Sequence, residues 1–388
     1  MDKVRIGNYI KQIRGVSYKP TDLHNNLNDD SVILLRANNI SEGKINFDDV
    51  VYVDKSKVKE EQYLKKGDIL VCASSGSKEL VGKAAFVKKD FSATFGAFCK
   101  LIRPTACIAE YLGHYFNSQI YREKISSLAL GANINNIRNE HIDELCICFP
   151  NEMSQKSISL ILDKVTEILD KRTEQFSKLD ELVKARFVEL FGDPMTNSKG
   201  HILKKYGDLF ELNAGGTPSK QKPEYWDNGT ISWIGSNMCQ NTVIYENDGN
   251  YITEEGLKHS SARIFPVDTV LIALVGATIG KTALLKFETT TNQNVLGVRG
   301  IRECGYTPEF IFYYTQGLYQ KFLSIGDGGF AMASKGFISE LPVPVVDLVI
   351  QKKFSAFVEQ TDKSKLEIQK SLEKLELLKK ALMQKYFG

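Results

Sequence analysis

The chain has 388 residues, of which 43% are hydrophobic and 25% charged, and its net charge is +3 at pH 7. This length supports two or more domains, and so mild a charge requires no polyanionic partner but allows local basic patches. The seven cysteines form no C-x-x-C pair, which is typical of reduced, buried thiols rather than a metal site. Because the N-terminus has no apolar signal sequence and no apolar run is long enough to cross a bilayer, we expect a soluble cytoplasmic protein with no membrane partner.

Residues 1–152 are predicted to form the first of two mixed, strand-rich modules. In LLRANNI at Leu34–Ile40 an apolar run ends in polar residues. The candidate DNA contacts in this stretch are Arg36, Asn38 and Asn39. A strand in GDILVCASSG at Gly67–Gly76 is followed by a glycine–lysine turn. Lys83 in that turn either meets a DNA backbone phosphate or is an ordinary solvated turn residue.

The spacing of apolar residues in 153–192 predicts a long amphipathic helix, which we call the first spacer helix. Its apolar residues recur every seven positions, with others three places on. The proposed seam residues of this helix are Leu162, Leu169, Phe176, Leu179 and Val183. Such spacing is typical of a coiled coil, and the alternative is a helix that packs on its own module alone.

Residues 193–346 are predicted to form the second module, with polar loops suited to reading a duplex. The stretch NAGGTPSKQKPEYWDNGTISWIGSNM at Asn213–Met238 combines a permissive glycine backbone with phosphate donors. Later, TTTNQNV at Thr289–Val295 groups amide side chains that can address adenine edges. The candidate DNA contacts are Thr217, Ser219, Lys220, Lys222, Ser236, Asn237, Lys281, Thr282, Asn292 and Gln293. Ordinary turn chemistry is the alternative for the amides.

The stretch VGATIGKTAL at Val275–Leu284 looks like a phosphate-binding loop, but its spacing excludes one. Three residues separate its two glycines, one short of the P-loop pattern. In the first half, five residues separate Gly76 from Gly82, and Ala84 replaces the hydroxyl residue. A nucleotide loop requires fixed geometry, because consecutive N–H groups must converge on the phosphates. A glycine–lysine turn between two strands, with its lysine facing a DNA phosphate, fits both halves better.

Residues 347–388 predict a second spacer helix, which ends in KALMQKYFG as the first ends in KARFVELFG. Its seam residues are Ile368, Leu372, Leu375 and Leu382. Both seams fall in one heptad frame when shifted by 196 residues, which favours packing of the two helices on each other. The modules correspond more loosely, with LLRANNI in the place of SWIGSNM at Ser232–Met238. The chain is therefore predicted to be a tandem repeat of module and helix.

The sequence offers no convincing catalytic or metal-binding set. No tetrapeptide of the N-P-P-Y or D-P-P-Y kind, the signature of amino-methyltransferases, is present. Glu42 and Lys44 follow Asp29 and Asp30 as in a nuclease motif, but they occupy a predicted hairpin turn. We therefore expect a non-enzymatic chain that holds no cofactor of its own.

The whole chain resembles the specificity subunit of type I restriction–modification systems. The similarity lies in GGTPS…PEYW, in ITEEGLKHSSARIFPVDTVLIALVGATIGKTAL and TTNQ, and in LLRANNI, KKGDILVCASSG and FGDP of the first half. Two departures occur in the first half: RGVSYKP at Arg14–Pro20 replaces the GGTPS–PEYW loop, and FGAFCK at Phe95–Lys100 replaces the NQ element. The two modules should therefore read different sequences.

The resemblance implies an α+β fold in which two target-recognition domains are joined by two long helices, packed as an antiparallel coiled coil with pseudo-twofold symmetry. Each domain would read one half of an asymmetric bipartite site in double-stranded DNA. The helices would dock adenine methyltransferase subunits, two of them expected, with or without a translocating nuclease subunit. Those partners would bind S-adenosylmethionine. The alternatives are a self-contained DNA-modifying enzyme, the specificity chain of a related methyltransferase–nuclease system, and a coiled-coil protein that does not touch DNA.

Overall fold

The computed structural model describes residues 3–77, 79–128, 135–325 and 332–388. The chain divides into two compact units. The first unit is Met1–Thr173 together with Lys370–Gly388, and the second unit is Glu174–Gln369. Each unit therefore contains one strand-rich module and a part of both long helices.

The first unit consists of short strands and three short helices. Its strands are β1 (Lys3–Arg5), β2 (Ile10–Arg14), β3 (Leu23–His24), β4 (Ser31–Leu35), β5 (Ile40–Ser41), β6 (Lys44–Ile45), β7 (Val51–Asp54), β8 (Ile69–Cys72), β9 (Ser74–Ser75), β10 (Ala84–Phe86), β11 (Ala93–Phe95), β12 (Cys99–Pro104), β13 (Asn135–Asn136) and β14 (Cys146–Cys148). Its helices are α1 (Ala109–Phe116), α2 (Gln119–Leu128) and α3 (Asn139–Asp143), and the long helix α4 (Glu152–Phe191) begins in this unit.

Two four-stranded sheets form the centre of the first module. One has the order β10-β8-β12-β2 and the other β11-β4-β7-β3. The pairs of the first sheet are antiparallel, whereas β11 runs parallel to β4. All four residues of β8 are buried because this strand lies inside its sheet with both faces covered. The apolar runs of the sequence therefore become the central strands.

The second unit has a closely similar set of elements. Its strands are β15 (Leu203–Lys205), β16 (Glu211–Ala214), β17 (Ile231–Ile234), β18 (Thr242–Ile244), β19 (Tyr251–Ile252), β20 (Val270–Ala273), β21 (Thr282–Leu285), β22 (Thr290–Thr291), β23 (Val295–Arg299) and β24 (Pro342–Pro344). Its helices are α5 (Tyr206–Leu209), α6 (Glu254–Lys258), α7 (Pro308–Gly317), α8 (Tyr319–Leu323) and α9 (Lys335–Ser339), followed by the long helix α10 (Leu348–Phe387).

The second module repeats the sheet plan of the first. One sheet has the order β16-β23-β20-β21-β18 and the other β19-β17-β22. The parallel pair of β17 with β22 corresponds to the parallel pair of β4 with β11. The buried strand β20 takes the place of β8. Strand order thus confirms the tandem repeat that the sequence predicts.

Helices α4 and α10 are each 40 residues long and pack antiparallel. In the first unit, Leu162 near the start of α4 shares a core with Met383 and Phe387 at the end of α10. In the second unit, Phe187 near the end of α4 contacts Phe354 near the start of α10, with ring centroids 5.3 Å apart. The antiparallel coiled coil is therefore confirmed.

The predicted seam residues lie on the packed side of the two helices. Leu162 and Val183 are fully buried. The partly buried seam residues are Leu169, Phe176, Leu179, Ile368, Leu372, Leu375 and Leu382. A polar seam position is also satisfied: Lys365 makes an ion pair with Asp180 and lies over the ring of Phe176. A lysine at this point of the apolar pattern therefore does not break the packing of the two helices.

One glutamine at the start of each long helix performs the same function in the two units. The Gln155 side chain accepts a hydrogen bond from Ile108 N at 3.0 Å, where α1 begins. The Gln351 side chain accepts one from Thr307 N at 2.9 Å, where α7 begins. Both glutamines are buried, so each anchors a module helix to a long helix. These equivalent bonds are a second sign of the repeat.

The seven cysteines are free, as the sequence predicts. Burial raises the pKa of the Cys72 and Cys107 thiols to about 11, so these thiols stay protonated. Across the part of the chain that the structure describes, no helix is long and apolar enough to cross a membrane.

Candidate nucleic-acid interface

Three loops of the second module meet at one place. Gly216 N donates to Thr291 O at 2.8 Å, and Asn292 N donates to Ile234 O at 3.2 Å. The Thr217 hydroxyl donates to the side-chain oxygen of Gln293 at 2.6 Å. The GGTPS loop, the NQ turn after β22 and the end of β17 therefore form a single surface, which we call the recognition edge of the second unit.

The two glycines of the GGTPS loop are required by close packing of the backbone. A Cβ atom on Gly215 would lie 2.1 Å from the Thr291 hydroxyl oxygen, and one on Gly216 would lie 2.4 Å from Ala262 N. No side chain fits at either distance. Gly215 therefore lets the loop lie against the NQ turn, and Gly216 lets it lie against the backbone at Ser261–Ala262.

Both tryptophans of the chain fix the same loop. Trp226 Nε1 donates to Ser219 O, and Trp233 Nε1 donates to Gly216 O, each at 3.1 Å. The two rings meet edge to face with centroids 5.3 Å apart. These two hydrogen bonds and the ring contact thus hold the loop in place.

Three of the predicted contacts, Ser219, Lys220 and Lys222, are exposed on that loop. Lys222 Nζ donates to Tyr225 OH at 2.9 Å, and this hydrogen bond raises the pKa of the lysine. Lys222 therefore carries a positive charge in a fixed position.

A second polar group lies beside the turn after β17. Lys281 Nζ donates to the side-chain oxygen of Gln240 at 2.9 Å, and Gln240 Nε2 donates to Asn237 O at 3.1 Å. Asn237 and Gln240 are exposed, and Ser236 and Lys281 are half-buried. The sequence-based prediction missed Gln240, although its position directly after SNMC in the polar pair Gln–Asn was a usable signal.

Two of the predicted contacts are buried, so their side chains do not reach the surface. Thr282 begins β21 with no exposed area, and both its N–H and its hydroxyl face Asn241 Oδ1 at 3.0 and 3.3 Å. Asn39 is 1% exposed, and its side chain accepts a hydrogen bond from Arg36 N at 2.8 Å. The prediction that these two side chains contact DNA is therefore wrong, because both are buried and shape their turns.

The corresponding polar group of the first unit is centred on Asp49. Arg36 Nη2 lies 2.9 Å from the Asp49 carboxylate, and Asn38 Nδ2 donates to the same oxygen at 2.8 Å. Asn39 Nδ2 donates to Asp49 O at 2.8 Å. The charge of Arg36 is therefore balanced, and its guanidinium is held in a fixed orientation.

The lysine of the first glycine–lysine turn has different surroundings from Lys281. Lys83 lines a cavity of about 310 Å³ together with Arg122 of α2, His114 of α1 and Lys379 of α10. Burial lowers the pKa of Lys379. Lys83 thus lies in a cavity of mixed charge, because three carboxylates line it as well as the lysines and Arg122, and the two lysines are not equivalent.

The correspondence between LLRANNI and SWIGSNM is wrong by one residue. Strand β4 ends at Leu35 and β17 ends at Ile234. The same backbone bond follows each, from Gly96 N to Leu35 O and from Asn292 N to Ile234 O. Asn38, and not Asn39, therefore matches Asn237. This agrees with the burial of Asn39.

The fold consists of two repeated modules, and the loops of each contain a group of hydrogen-bonded polar side chains. The sequence profile described as "Type I restriction modification DNA specificity domain" matches the chain twice, at residues 10–178 and 202–379. The two matches cover most of the chain, one in each half. The chain therefore belongs to the family of type I restriction–modification DNA specificity proteins.

Individual relatives match only a part of the chain. Over 173 residues it is 42% identical to the type I restriction enzyme EcoKI specificity subunit of Escherichia coli (strain K12), covering 44% of this chain and 37% of that protein. The same identity and coverage hold for the StySPI specificity subunit of Salmonella potsdam. The aligned region thus spans little more than a third of these two relatives.

Solved structures share the fold along the whole chain. The type I restriction–modification S subunit from M. genitalium has a TM-score of 0.58 and 16% identity, covering 100% of this chain and 96% of that one. A structure titled as the basis of complex assembly and conformational transition of the type I R-M system has a TM-score of 0.58 and 15% identity, covering 99% and 96%. At such identities the likeness concerns the fold alone.

Proposed function

We propose that the chain is the DNA specificity subunit of a type I restriction–modification system. It binds an asymmetric bipartite target in double-stranded DNA, one half-site per module, and places adenine methyltransferase subunits there. The observation that supports this most directly is the double match to the specificity domain, with a polar loop edge in the second unit and a different one in the first. The chain would act in the cytoplasm, where the host DNA lies.

We assign methyl transfer to partner subunits rather than to this chain. The loops that meet at the recognition edge contribute amides, hydroxyls and lysines, which recognise bases and phosphates. S-adenosylmethionine and the flipping of the target adenine would belong to the partner methyltransferase, and a restriction subunit would join the same assembly.

Exchange of one module tests this function directly. Replacing residues 1–152 by the matching part of a relative is expected to change one half of the methylated sequence and leave the other half unaltered. The physical reason is that each module has its own sheets and its own core. The measurement is a map of methylated adenines in cells that contain the chain and its methyltransferase partner.

The reciprocal exchange of residues 193–346 is the matched control, and it should change only the other half-site. If either exchange altered both half-sites, independent recognition by the modules would be wrong. Methyl transfer by the isolated chain, without any partner subunit, would contradict the proposed division of labour.

Exposed apolar residues recur at equivalent positions of the two long helices. Met153 in α4 and Val349 in α10 are 81% and 60% exposed. Leu182 and Leu378, later in the same two helices, are 50% and 47% exposed. The first unit contains Met153 with Leu378, and the second contains Val349 with Leu182. Each unit thus has two exposed apolar residues at equivalent helix positions, which supports docking of two methyltransferase copies.

Charges at these positions are expected to remove one partner copy at a time. The variant Met153→Glu/Leu378→Glu should bind a single methyltransferase subunit, because a carboxylate buried against an apolar partner surface is costly. Val349→Glu/Leu182→Glu should have the same effect through the other unit. Native mass spectrometry of the reconstituted complex counts the copies.

The control for these variants is Lys363→Glu, which changes an exposed residue of α10 outside the repeated pair. That variant should retain two copies. Retention of both copies by each double variant would contradict docking through these residues.

Charge reversal at Lys281 should weaken DNA binding without changing the sequence that is read. A phosphate contact contributes through counterion release, so Lys281→Glu should lower the salt slope of the binding constant by roughly one. Titrations of the assembled complex at several salt concentrations give this slope. An unaltered slope would reduce Lys281 to a turn residue that orients Gln240.

The matched contrast is Gln293→Ala at the recognition edge. This substitution removes an amide that can bind a base and should cost roughly 1–3 kcal/mol at one base pair of the second half-site. The salt slope should remain that of the parent.

A further inference from the structure

The turn that presents Gln293 in the second unit has a counterpart in the first unit with the same backbone hydrogen bonds. The three bonds of the first-unit turn are Gly96 N to Leu35 O, Cys99 N to Gly96 O, and Ala73 N to Phe98 O, and those of the second are Asn292 N to Ile234 O, Val295 N to Asn292 O, and Leu274 N to Asn294 O. Phe98 therefore occupies the position of Asn294, and Ala97 that of Gln293.

The preceding loops also match. Val16 N donates to Phe95 O at 2.8 Å, as Gly216 N donates to Thr291 O at 2.8 Å. The segment RGVSYKP thus lies against the first turn as the GGTPS loop lies against the second. The first unit has a recognition edge of the same construction, and its turn offers an aromatic ring where the other offers amides.

Phe98 is 72% exposed, and it is the only exposed phenylalanine among the residues that the structure describes. Its carbonyl oxygen accepts hydrogen bonds from Ala73 N at 2.9 Å and Ser74 N at 3.0 Å, so the backbone beneath the ring is fixed. The neighbouring strand β9, Ser74–Ser75, is polar. Single exposed apolar residues are common on protein surfaces, so the position on the recognition edge is what distinguishes this one.

We propose that Phe98 reads the C5-methyl group of a thymine in the half-site bound by the first unit, an inference that rests on the proposed function. A phenyl ring neither donates nor accepts a conventional hydrogen bond, so it cannot replace the amides of the second turn. The methyl group of thymine is the apolar group that base edges offer in the major groove, and phenylalanine is one of the side chains that contact it. Removing one such methyl group is expected to weaken binding about fourfold.

The test uses the complete complex with its methyltransferase subunits. The methylation map first identifies the half-site that changes when residues 1–152 are exchanged. Duplexes are then prepared in which each thymine of that half-site is replaced, one at a time, by deoxyuridine, which lacks only the methyl group. Dissociation constants are measured for the parent, Phe98→Ala and Phe98→Leu.

We expect a single thymine of the first half-site to show a response that depends on residue 98. Replacing that thymine by deoxyuridine should weaken DNA binding by the parent about fourfold and should not change binding by Phe98→Ala. Binding by Phe98→Leu should weaken as in the parent, because leucine keeps an apolar contact. Thymines of the second half-site should respond equally in all three proteins. Since Phe98 is largely exposed, its removal should not disturb folding.

Identical deoxyuridine profiles for the parent and Phe98→Ala would overturn the inference, as would a first half-site without thymine. The inference would also be overturned if Phe98→Ala bound every duplex more weakly than the parent by the same factor. That result would favour a ring that stacks between bases without reading the methyl group. A parent complex with no sequence preference at all would instead refute the proposed function. The two failures are therefore distinguishable.

Discussion

Replacing Arg103 with methionine should lower the free energy of unfolding of the first unit by about 3 kcal/mol. Arg103 Nε and Nη2 each donate to Asp68 at 2.7 Å, and Nη2 also donates to Tyr63 O at 3.1 Å. The Asp68 side chain is 2% exposed. Methionine would fill much of the space but leave a buried carboxylate without its cation, which is among the most costly changes a core can undergo.

Hydrogen exchange resolved by peptide measures this effect where it occurs. The amides of β8 and β12 should lose protection, because the ion pair joins the beginning of one strand to the other. Strands of the second unit provide an internal reference and should be unaffected. Global denaturant curves are less suitable, because a chain of two units is not expected to unfold in one step.

A matched control is available on the surface. Lys11 and Glu61 form an ion pair of 2.7 Å, but both side chains are about half exposed. Lys11→Met should therefore cost less than about 1 kcal/mol. If it destabilised the unit as much as Arg103→Met, the cause would be loss of an ion pair in general, and not a buried carboxylate left without its cation.

A second variant separates the two causes further. In Arg103→Met/Asp68→Asn no buried charge remains, and the amide oxygen can still accept the hydrogen bond from Lys65 N. The double variant should recover part of the loss caused by Arg103→Met alone. No recovery would point to lost packing of the arginine stem instead.

The long helices were predictable because their signal is local and repeated. Seam residues such as Leu162 and Val183 recur at heptad spacing, and the closing glycine at residue 192 has φ +82, a conformation that favours glycine at a helix end. The structure places the helices at Glu152–Phe191 and Leu348–Phe387. The packing of the two helices on each other was predictable because their heptad patterns share one frame.

The loops were predictable only in part, because their contacts join distant parts of the chain. The motifs GGTPS and NQ indicated a polar surface, and the bond between Thr217 and Gln293 joins residues 76 positions apart. Nothing in the local sequence, however, indicated that Asp49 would hold Arg36 and Asn38. Pairing of this kind depends on loop conformations that periodicity does not determine.

Individual errors have similar physical causes. Thr282 follows a lysine in a turn, and only the start of β21 at that residue decides that its side chain faces the core. Lys83 looked equivalent to Lys281, but packing of α1 and α10 around it forms a cavity that has no counterpart in the local pattern. The sequence therefore identified the loops better than the direction of each side chain.

The largest expected change in target recognition comes from lengthening the helices. Both long helices pass from one unit into the other, α4 at Thr173–Glu174 and α10 at Gln369–Lys370. Inserting four residues after Lys171 adds about 6 Å of helix and about one helical turn. We expect the gap between half-sites to grow by one or two base pairs while the bases that are read stay the same.

An insertion of four residues is a favourable choice for a heptad seam. Coiled coils absorb such a stutter by local unwinding, so the seam on either side can stay packed. The extra turn also rotates the following residues by about 40°, which is close to the rotation of one base pair in B-DNA. The insertion therefore moves the second module along the DNA axis and rotates it around that axis in the same direction, as a longer gap between half-sites requires.

The paired variant carries a second insertion of four residues after Gln369, so that both antiparallel helices lengthen together. It should show the same larger gap with less loss of stability than the single insertion, because neither helix must then bulge or slide along its partner. Methylation maps of the parent, the single insertion and the paired insertion give the gap directly. An active paired variant with the parental gap would mean that the helices do not set the spacing, and partner docking would remain as their function.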